Sequence, residues 1–580
     1  MPPAIKMLSF WLLYTRLFKL SNNIHTNTDQ MQLLEETLGQ ILEKYAFETP
    51  DTEFIVYPDR NLKFTYKQFN ERVDQLAKGL LYIGVKKDDK VGIWARNVPD
   101  WTTLMFATAK IGAILVTINT NFKLVELDYL LKNSDINTLF LVDGYRDSDY
   151  IDMITELVPE LKTQPRGSLK SEKYPELRNV VFIGPKKYRG MFNTTELILL
   201  GSHVDDIELE SVKDTLNCHD VINMQYTSGT TGFPKGVMLS HHNILNNGYS
   251  VGQCMKYTAN DRLMLCVPLF HSFGCILGIC SIVTHGATMV FTEDFDPLLV
   301  LAAVQKEKCT SIYGVPTMFI AELNHPMFEM FDLSSLRTGI MAGAPCPVET
   351  MNEVMTKMHV KEIIIVYGLA ESSPGMTATR THNTAEVRST TVGFELPNIE
   401  VKIINPETGE ECSKGEQGEI CCRGYNIMKG YYKNPEATEM VVDKDGWLHS
   451  GDLAVKTDND FYKITGRIKD VIIRGGENIY PREIENYLYQ MPQIETVEIA
   501  GIPSKKYGEE VGAFIKLKQG QSLSEEDVID FCKGKISRFK VPKYIFFVTD
   551  FPVSASGKIQ KYKLSQLSVE WCSEKGIEIV

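Results

Sequence analysis

The first half of the chain alternates short runs of β-branched and aromatic residues with stretches in which apolar residues recur at helical spacing. The clearest helical stretch opens at Thr65, which has Gln68 three positions later, as in a capping box. The apolar residues that follow fall on one helical face: Phe69, Val73, Leu76 and Leu80. Gly84 then ends the pattern. The sequence therefore predicts a helix that begins after Thr65 and ends before Gly84.

Short apolar runs between such stretches predict strands, and a helical pattern at residues 126–131 separates two of them. Strands that alternate with helices are typical of βαβ units, which build a parallel sheet covered on both faces. We predict strands at residues 91–94, 114–118, 138–142, 180–183, 263–267, 289–291 and 363–366. Residues 162–178 are rich in Lys, Ser, Pro and Gly and predict an exposed loop.

From Val392 the sequence pattern changes to short segments that alternate apolar and polar residues, with turns at residues 405–409 and 414–418. This pattern predicts a small β-subdomain over residues 392–468. The last hundred or so residues mix short strands and helices and are long enough to fold alone. We place the boundary at Lys469. The 580-residue chain is too long for one ordinary core, and we predict a large domain over residues 31–468 and a smaller one over 469–580.

Residues 226–235 (YTSGTTGFPK) are the segment richest in candidate functional residues. Glycines let the backbone bend so that amides and hydroxyls converge on an anion, and a lysine adds positive charge. The residues that would surround a phosphate are Thr227, Ser228, Gly229, Thr230, Thr231, Gly232 and Lys235. The order differs from a Walker P-loop, since Lys235 follows Pro234 and no hydroxyl follows it. Apolar flanks predict that two strands hold this turn.

These ten residues resemble the phosphate loop of the adenylate-forming (AMP-binding) superfamily, which includes acyl-CoA synthetases, luciferases and carrier-protein adenylation domains. The resemblance extends over about residues 35–565. It implies an α/β fold: a large N-terminal domain of βαβ-type sheets with a small β-subdomain, followed by a mobile α+β C-terminal domain. It also implies that the loop holds the triphosphate of ATP while a carboxylate is activated.

Further motifs of the family follow in order. YGLAE at residues 367–371 resembles a motif whose aromatic residue and glycine (Tyr367, Gly368) contact adenine and whose Glu371 binds Mg²⁺ together with Thr227. Ala370 departs from the usual threonine, and one phosphate contact is lost with its hydroxyl. The implied adenine wall is Gly343, Ala344 and Pro345. The implied ribose ligands are Asp452 and Arg467.

The C-terminal part resembles the family at three places. Lys558 in SASGKI is implied to reach the α-phosphate and the acyl carboxylate, because a flexible point charge can bridge two anions. Lys469 occupies the position of a hinge about which the domain rotates between two half-reactions. After rotation, Gly475 and Gly476 are implied to approach the pantetheine arm of CoA.

The acyl-binding part of the site is predicted around His271. This residue lies in a segment (PLFHSFG) that resembles the family segment lining the carboxylate pocket. No charged residue occurs in residues 275–283, which argues against an amino-acid substrate needing an ammonium partner. We predict an AMP-forming acyl-CoA synthetase for a medium- or long-chain fatty acid, with ATP, Mg²⁺ and CoA. Three alternatives stay open: an aryl-acid ligase, a ligase that loads a carrier protein, and a degenerate nucleotide or acyl binder without catalysis.

Amino-acid composition and charge limit which binding partners and metal sites we expect. The net charge of -13 and the lack of long basic runs exclude nucleic acid as an expected partner. The 12 cysteines form no C-x-x-C pair, which favours reduced core thiols, and we predict no structural zinc. Residues 263–292 are uncharged but interrupted by Pro, Gly and His, so we predict no membrane span, although peripheral membrane contact remains open. The oligomeric state is open between monomer and homodimer.

Residues 1–30 are basic around an apolar run. They are either an organellar presequence or an extension outside the core. We predict a cytoplasmic protein, with a mitochondrial location as the alternative if these residues are a presequence.

Overall fold

The computed structural model describes residues 31–227, 234–344, 346, 348–475, 477–553 and 559–574. Two sheets dominate the large domain. The first has eight strands, and six of them, from Val221–Thr227 to the edge strand Phe192–Asn193, pair in parallel as the alternating pattern predicts. In spatial order its strands are Gly430–Tyr431, Lys235–Ser240, Val221–Thr227, Ile114–Thr117, Lys90–Trp94, Ile136–Leu141, Asn179–Phe182 and Phe192–Asn193. The first two are antiparallel additions at the edge.

The second sheet has seven strands and is parallel except for its last pair. Its order is Glu362–Ile364, Thr338–Met341, Ser311–Gly314, Arg262–Leu265, Thr288–Phe291, Glu53–Tyr57 and Leu62–Thr65. The predicted run 363–366 divides here. Glu362–Ile364 stays in this sheet, and Val366–Gly368 pairs antiparallel with Gly375–Ala378 in a separate three-stranded sheet that Phe394–Glu395 completes.

Helices cover both sheets. The helix predicted after Thr65 is confirmed as Tyr66–Tyr82, with the Gln68 amide donating to Thr65 Oγ1 (3.3 Å) and the Thr65 amide to Gln68 Oε1 (3.0 Å). The other helices of the large domain are Leu38–Glu48, Pro99–Lys110, Leu124–Asn133, Tyr150–Leu157, Thr194–Leu200, Asp206–Lys213, His241–Cys254, Ser281–Val283, Pro297–Glu307, Pro316–Leu323, Val348–Lys357, Ala385–Thr390 and Pro435–Glu439.

The uncharged segment 263–292 folds as a strand, a loop, a helix and a second strand, as predicted. Phe273–Cys280 is a π-helix that continues into Ser281–Val283, and every residue of both is buried. Among the described residues, no helix combines the length and apolar character that crossing a bilayer requires.

The loop 162–178 is irregular but not wholly exposed, so that prediction was wrong in part. Leu169, Tyr174 and Leu177 are buried in the large core. Tyr174 also donates a 2.5 Å hydrogen bond to Asp128. The polar composition hides these anchors, because three apolar residues in seventeen positions show no periodicity.

Beyond Val392, four antiparallel strands form a small sheet in the order Ile399–Ile404, Gln417–Gly424, Leu448–Lys456 and Tyr462–Arg467. Within the same stretch of chain, Gly430–Tyr431 leaves this sheet and pairs with Lys235–Ser240 of the eight-stranded one. The small β-unit is therefore joined to the large sheet by a strand of its own.

In its described residues, the C-terminal part contains a five-stranded sheet and three α-helices. Its strands are Ile472–Arg474, Glu477–Ile479, Ile494–Ser504, Gly508–Leu517 and Tyr544–Phe547, and its helices are Pro481–Leu488, Glu525–Cys532 and Lys561–Glu574. Buried residues such as Ile472, Leu488 and Val511 pack into a hydrophobic cluster of their own. A separate core is what an independently folding unit requires.

Candidate active site

The strands Val221–Thr227 and Lys235–Ser240 hold the two ends of the phosphate loop. They pair antiparallel with Thr227 directly opposite Lys235, as the apolar flanks predict. The Tyr129 hydroxyl donates to the Pro234 carbonyl (3.3 Å), which ties the exit of the loop to a neighbouring helix. The other predicted phosphate ligands lie outside the described residues: Ser228, Gly229, Thr230, Thr231 and Gly232.

Glu371 lies in a short 3₁₀ turn, Ala370–Ser372, that follows the strand Val366–Gly368. A Cβ on Gly368 would collide with the carbonyl oxygen of Pro374, so the turn requires glycine there. Glu371 is buried, and its carbonyl accepts from the Met428 amide (2.9 Å). The turn thus fixes the backbone of the carboxylate on both sides.

The Glu371 side chain accepts a 2.7 Å hydrogen bond from the hydroxyl of Tyr431. The same tyrosine ring has Lys235 Nζ 5.0 Å from its centroid, within the range of a cation–π contact. Burial raises the pKa of Tyr431, and the neighbouring Glu371 charge raises it further, so the phenol stays protonated as a donor. Tyr431 therefore connects the phosphate-loop lysine to the predicted metal carboxylate.

The surroundings of Glu371 suit a cation. Within the described residues no lysine, arginine or histidine forms an ion pair with it, although it is buried. A buried carboxylate without a counter-ion is costly unless a cation joins it. Mg²⁺ prefers one or two carboxylates together with phosphate oxygens. Glu371, with the Thr227 hydroxyl at the end of the neighbouring hairpin, fits such a group.

Asp452 is the centre of the predicted ribose site. It is buried, and its two carboxylate oxygens accept from the Tyr367 hydroxyl (2.8 Å) and from Arg467 Nε (2.8 Å). Asp452 and Arg467 face each other across paired strands of the small sheet. Burial raises the pKa of Tyr367 well above its usual value, and the Asp452 charge adds to this. Each oxygen keeps a second lone pair for a diol.

The Asp452 charge is also the main cause of a raised pKa of Arg467, whose side chain is 59% exposed. The guanidinium is therefore paired on one side and open to solvent on the other. Such an arginine can hold the aspartate and still meet a ligand.

Gly343 and Ala344 come just after the strand Thr338–Met341 and are exposed. The neighbouring parallel strand, Glu362–Ile364, leads directly towards Tyr367. Both implied adenine contacts therefore follow the carboxyl ends of adjacent strands, where open α/β sheets bind ligands. Pro345 lies outside the described residues.

His271 follows the strand Arg262–Leu265 and begins the turn into the π-helix. Its Nδ1 accepts from the Phe273 amide (3.2 Å), which in a neutral ring puts the proton on Nε2. Behind it, the Phe273 ring stacks on Tyr313 at a centroid distance of 5.6 Å. The wall behind the predicted carboxylate pocket is thus aromatic and aliphatic.

Only some of the site residues predicted in the C-terminal part lie within the described residues. Lys469 is exposed in a 3₁₀ turn, Ile468–Asp470, directly after the strand that ends at Arg467. Gly475 is exposed with φ +60, a left-handed conformation that favours glycine. Gly476 and Lys558 lie outside the described residues.

Two contributing residues were not predicted from the sequence. Tyr431 contacts a residue 60 positions away, and Glu419 Oε1 accepts from the Gly451 amide (2.8 Å), next to Asp452. Glu419 is buried and also pairs with His449 Nδ1 (2.9 Å). Neither residue stands in a local motif with its partner, so the contacts become evident only once distant segments of the chain are placed in space.

Comparison with known proteins identifies the family. A family model described as AMP-binding enzyme matches residues 42–432, and one described as AMP-binding enzyme C-terminal domain matches residues 483–558. The chain belongs to the AMP-binding enzymes. This confirms the predicted superfamily, the order of a large and a small domain, and the activity class: the protein is an AMP-forming acid–CoA ligase.

Two relatives and one solved structure illustrate the similarity to other AMP-binding enzymes. YngI of Bacillus subtilis (strain 168), classed by name with the acyl-CoA synthetases, is 51% identical over 539 residues, covering 93% of this chain and 98% of that protein. The mitochondrial medium-chain acyl-CoA ligase ACSF2 of Danio rerio is 41% identical over 537 residues, covering 92% and 88%. The ATP-bound crystal structure of MatB from Rhodopseudomonas palustris superposes with a TM-score of 0.79 at 26% identity, covering 91% and 98%.

ATP and CoA therefore fit this AMP-binding enzyme as substrates. Within the described residues, the structure brings together two groups of predicted site residues. One is Lys235 with Glu371, through Tyr431, and the other is Tyr367 with Asp452 and Arg467.

Proposed function

We propose that this AMP-binding enzyme activates a medium- or long-chain fatty acid. A carboxylate oxygen attacks the α-phosphorus of ATP, pyrophosphate leaves, and an acyl-adenylate forms. The thiol of CoA then attacks the acyl carbon and AMP leaves. The name of the ACSF2 relative, a medium-chain acyl-CoA ligase, supports the shorter part of this range.

The observation that carries the substrate class is the buried, uncharged segment Phe273–Cys280 behind His271. Burying an ammonium or a second carboxylate against this wall would cost several kcal/mol without a charged partner, on the order of 2–7 kcal/mol even for an uncharged polar group. An alkyl chain gains about 0.8 kcal/mol for each CH₂ buried there. Physical chemistry therefore favours a hydrocarbon tail.

We assign the remaining roles as follows. Lys235 stabilises the phosphate charge that develops as pyrophosphate leaves, since pre-placed cations are the main source of such catalysis. Asp452 and Arg467 orient the ribose, and Tyr367, Gly368, Gly343, Ala344 and Pro345 enclose the adenine. Glu371 and Thr227 would hold Mg²⁺, which when bound neutralises phosphate oxygens. His271 Nε2 faces the acyl carboxylate, and Gly475 and Gly476 border the path of CoA.

A substrate panel tests the proposal. ATP–pyrophosphate exchange and thioester formation are measured with saturated fatty acids of graded length, benzoates and amino acids. We expect exchange with fatty acids and a single optimum of chain length. Turnover with benzoates alone would replace the fatty-acid proposal by the aryl-acid ligase.

The same assay separates the other two alternatives. Thioester formed on a carrier protein but not on CoA would indicate a carrier-loading ligase. Binding of ATP without exchange for any acid would indicate a degenerate binder. The Ala370 departure favours the last alternative only weakly, because one lost hydrogen bond to a charged group is worth roughly 1.5–3 kcal/mol.

For location we propose the cytoplasm, with the mitochondrion as the alternative. The YngI relative is bacterial, whereas the ACSF2 relative is named mitochondrial. Fusion of residues 1–30 to a fluorescent protein in a eukaryotic cell distinguishes the two. Mitochondrial import of the fusion would overturn the cytoplasmic proposal.

A further inference from the structure

Tyr431 contacts both a lysine and a carboxylate of the site, Lys235 and Glu371. Its strand, Gly430–Tyr431, pairs with the strand that begins at Lys235, with Tyr431 opposite Val237. This pairing places the ring beside Lys235 Nζ and the hydroxyl on Glu371 Oε1. Tyr431 is buried, and so is Glu371.

A lysine and a buried carboxylate so close to one residue would ordinarily be expected to pair with each other. A direct pair would neutralise both, because opposite charges in contact attract strongly at low dielectric. Among the described residues no ion pair joins Lys235 to Glu371. Instead, each contacts a different part of the tyrosine: the cation the π face, the carboxylate the hydroxyl.

We propose that Tyr431 is a positioning residue that fixes Glu371 through its hydroxyl and holds Glu371 apart from Lys235 through its ring. The carboxylate then stays available to a divalent cation and the ammonium to phosphate. The inference rests on the proposed function, since it takes Glu371 as the metal carboxylate.

Tyr432 supplies a matched control. Its hydroxyl also donates to a carboxylate, Asp135 Oδ2, at 2.7 Å, and Lys90 Nζ also lies over its ring, at 5.3 Å. The residue is next to Tyr431 in sequence, but its partners are not among the residues assigned to the reaction. Removing its hydroxyl tests the loss of a comparable hydrogen bond away from Glu371.

The experiment compares Tyr431→Phe, Tyr431→Leu and Tyr432→Phe with the wild type. Calorimetric titration of ATP, with no acid present, gives the dissociation constant with Mg²⁺ and again in EDTA. Magnesium titration of ATP–pyrophosphate exchange gives the half-saturating concentration. Thermal melting and the thioesterification of supplied acyl-AMP report on general damage.

For Tyr431→Phe we expect about a tenfold weaker affinity for ATP with Mg²⁺ and a similar rise in the half-saturating Mg²⁺ concentration, since one hydrogen bond to a charged group is lost. ATP affinity in EDTA stays within twofold, because the ring still separates the charges. In Tyr431→Leu the ring is absent, Lys235 can pair with Glu371, and affinity falls in EDTA as well. Tyr432→Phe changes neither affinity.

The inference is overturned if Tyr431→Phe binds ATP with Mg²⁺ as the wild type does, or loses affinity equally with and without Mg²⁺. It is also overturned if melting temperature and thioesterification fall together with exchange. Glu371→Gln separates this from the proposed function. If Glu371→Gln keeps the wild-type response to Mg²⁺, the assignment of Glu371 fails, whereas a lost response with normal Tyr431→Phe removes only the role of Tyr431.

Discussion

At the scale of single residues, charge and burial decide what the site can do. Glu371 and Asp452 are both buried carboxylates, and each is held by a tyrosine hydroxyl, Tyr431 for the first and Tyr367 for the second. A phenol donates without adding charge, so it orients the carboxylate and leaves it negative. A cation from outside the protein can then complete the environment of Glu371, whereas Arg467 already pairs with Asp452.

Ala370 offers a test at this scale. It precedes Glu371 in the 3₁₀ turn and is partly buried against the large core. Ala370→Thr restores the family's hydroxyl, and we expect exchange activity equal to the wild type or up to about a hundredfold higher, since one hydrogen bond to a charged group is worth roughly 1.5–3 kcal/mol. Ala370→Ser adds the hydroxyl without the methyl group and should behave similarly. If activity is lost in Ala370→Thr but not in Ala370→Ser, the turn has no room for the additional methyl group.

The residues that the sequence predicts best are those whose chemistry is local. Lys235, Glu371 and Asp452 each stand in a short motif that contains a glycine, and the structure shows one side-chain contact for each, while their roles stay predictions. Tyr431 and Glu419 escape prediction because their contacts depend on which strand lies beside which. An apolar or alternating pattern does not specify its neighbour.

At the scale of elements, the alternation of runs predicts the parallel sheets but not their ends. A strand of two residues such as Gly430–Tyr431 shows no periodicity, and nothing in the composition of Phe273–Cys280 distinguishes a π-helix from an α-helix. Local propensity is similar for both, and packing decides between them. The predicted domain limits at residues 392 and 469 remain predictions.

The turn that presents Glu371 gives a prediction for one element. In Gly368→Ala the new methyl group meets the Pro374 carbonyl, so the turn must shift and move Glu371. A misplacement of about 1 Å can cost on the order of a hundredfold in rate, and we expect a loss of that order in exchange. Gly409→Ala is the control. Gly409 also has a positive φ, +74, but a Cβ added there would meet no other atom within 4 Å. Equal effects of the two variants would contradict the prediction.

The helix Pro316–Leu323 contains a buried titratable group away from the site. Glu322 is 1% exposed, its Oε2 has no hydrogen-bond partner among the described residues, and burial raises its pKa to about 8. Between pH 4.5, the usual value, and pH 8 the unfolded chain loses this proton while the folded chain keeps it. Stability therefore falls as the pH rises through this window, by about 1.4 kcal/mol per pH unit.

Glu322→Gln should remove this dependence. We expect its melting temperature to match the wild type near pH 5 and to exceed it increasingly towards pH 8, as measured by scanning calorimetry. Glu329→Gln, which changes an exposed carboxylate a few residues later, should follow the wild type at every pH. Parallel curves for the wild type and Glu322→Gln would show that Glu322 titrates normally.

At the scale of the whole molecule, the site draws on both sheets and on the small β-unit. Lys235 begins the second strand of a hairpin in the eight-stranded sheet, Gly343 follows a strand of the seven-stranded one, and Asp452 lies on the four-stranded one. The C-terminal part has a separate core. A substitution in one of these units can remove the site residue that it supplies and leave the others in place. Each half-reaction can therefore be tested separately.

Lys558→Ala tests the contribution of the C-terminal domain. We expect adenylation to fall by a factor of 100 or more, since a charge that meets the transition state is lost. Thioesterification of supplied acyl-AMP should stay within a few-fold of the wild type. Lys563→Ala, an exposed lysine on the helix that follows, is the control and should affect neither step. Equal loss of both half-reactions in Lys558→Ala would argue against two separate arrangements of the domain.

The short strand Gly430–Tyr431 has a consequence for anyone who recombines this enzyme with a relative. A crossover near residue 392 would take Tyr431 from one parent and Glu371 and Lys235 from the other, although the three are in contact. Two parents can each be active and still yield an inactive hybrid if their tyrosine and carboxylate are spaced differently. Crossovers placed after Tyr431, or before the loop that Lys235 ends, would pass all three on together.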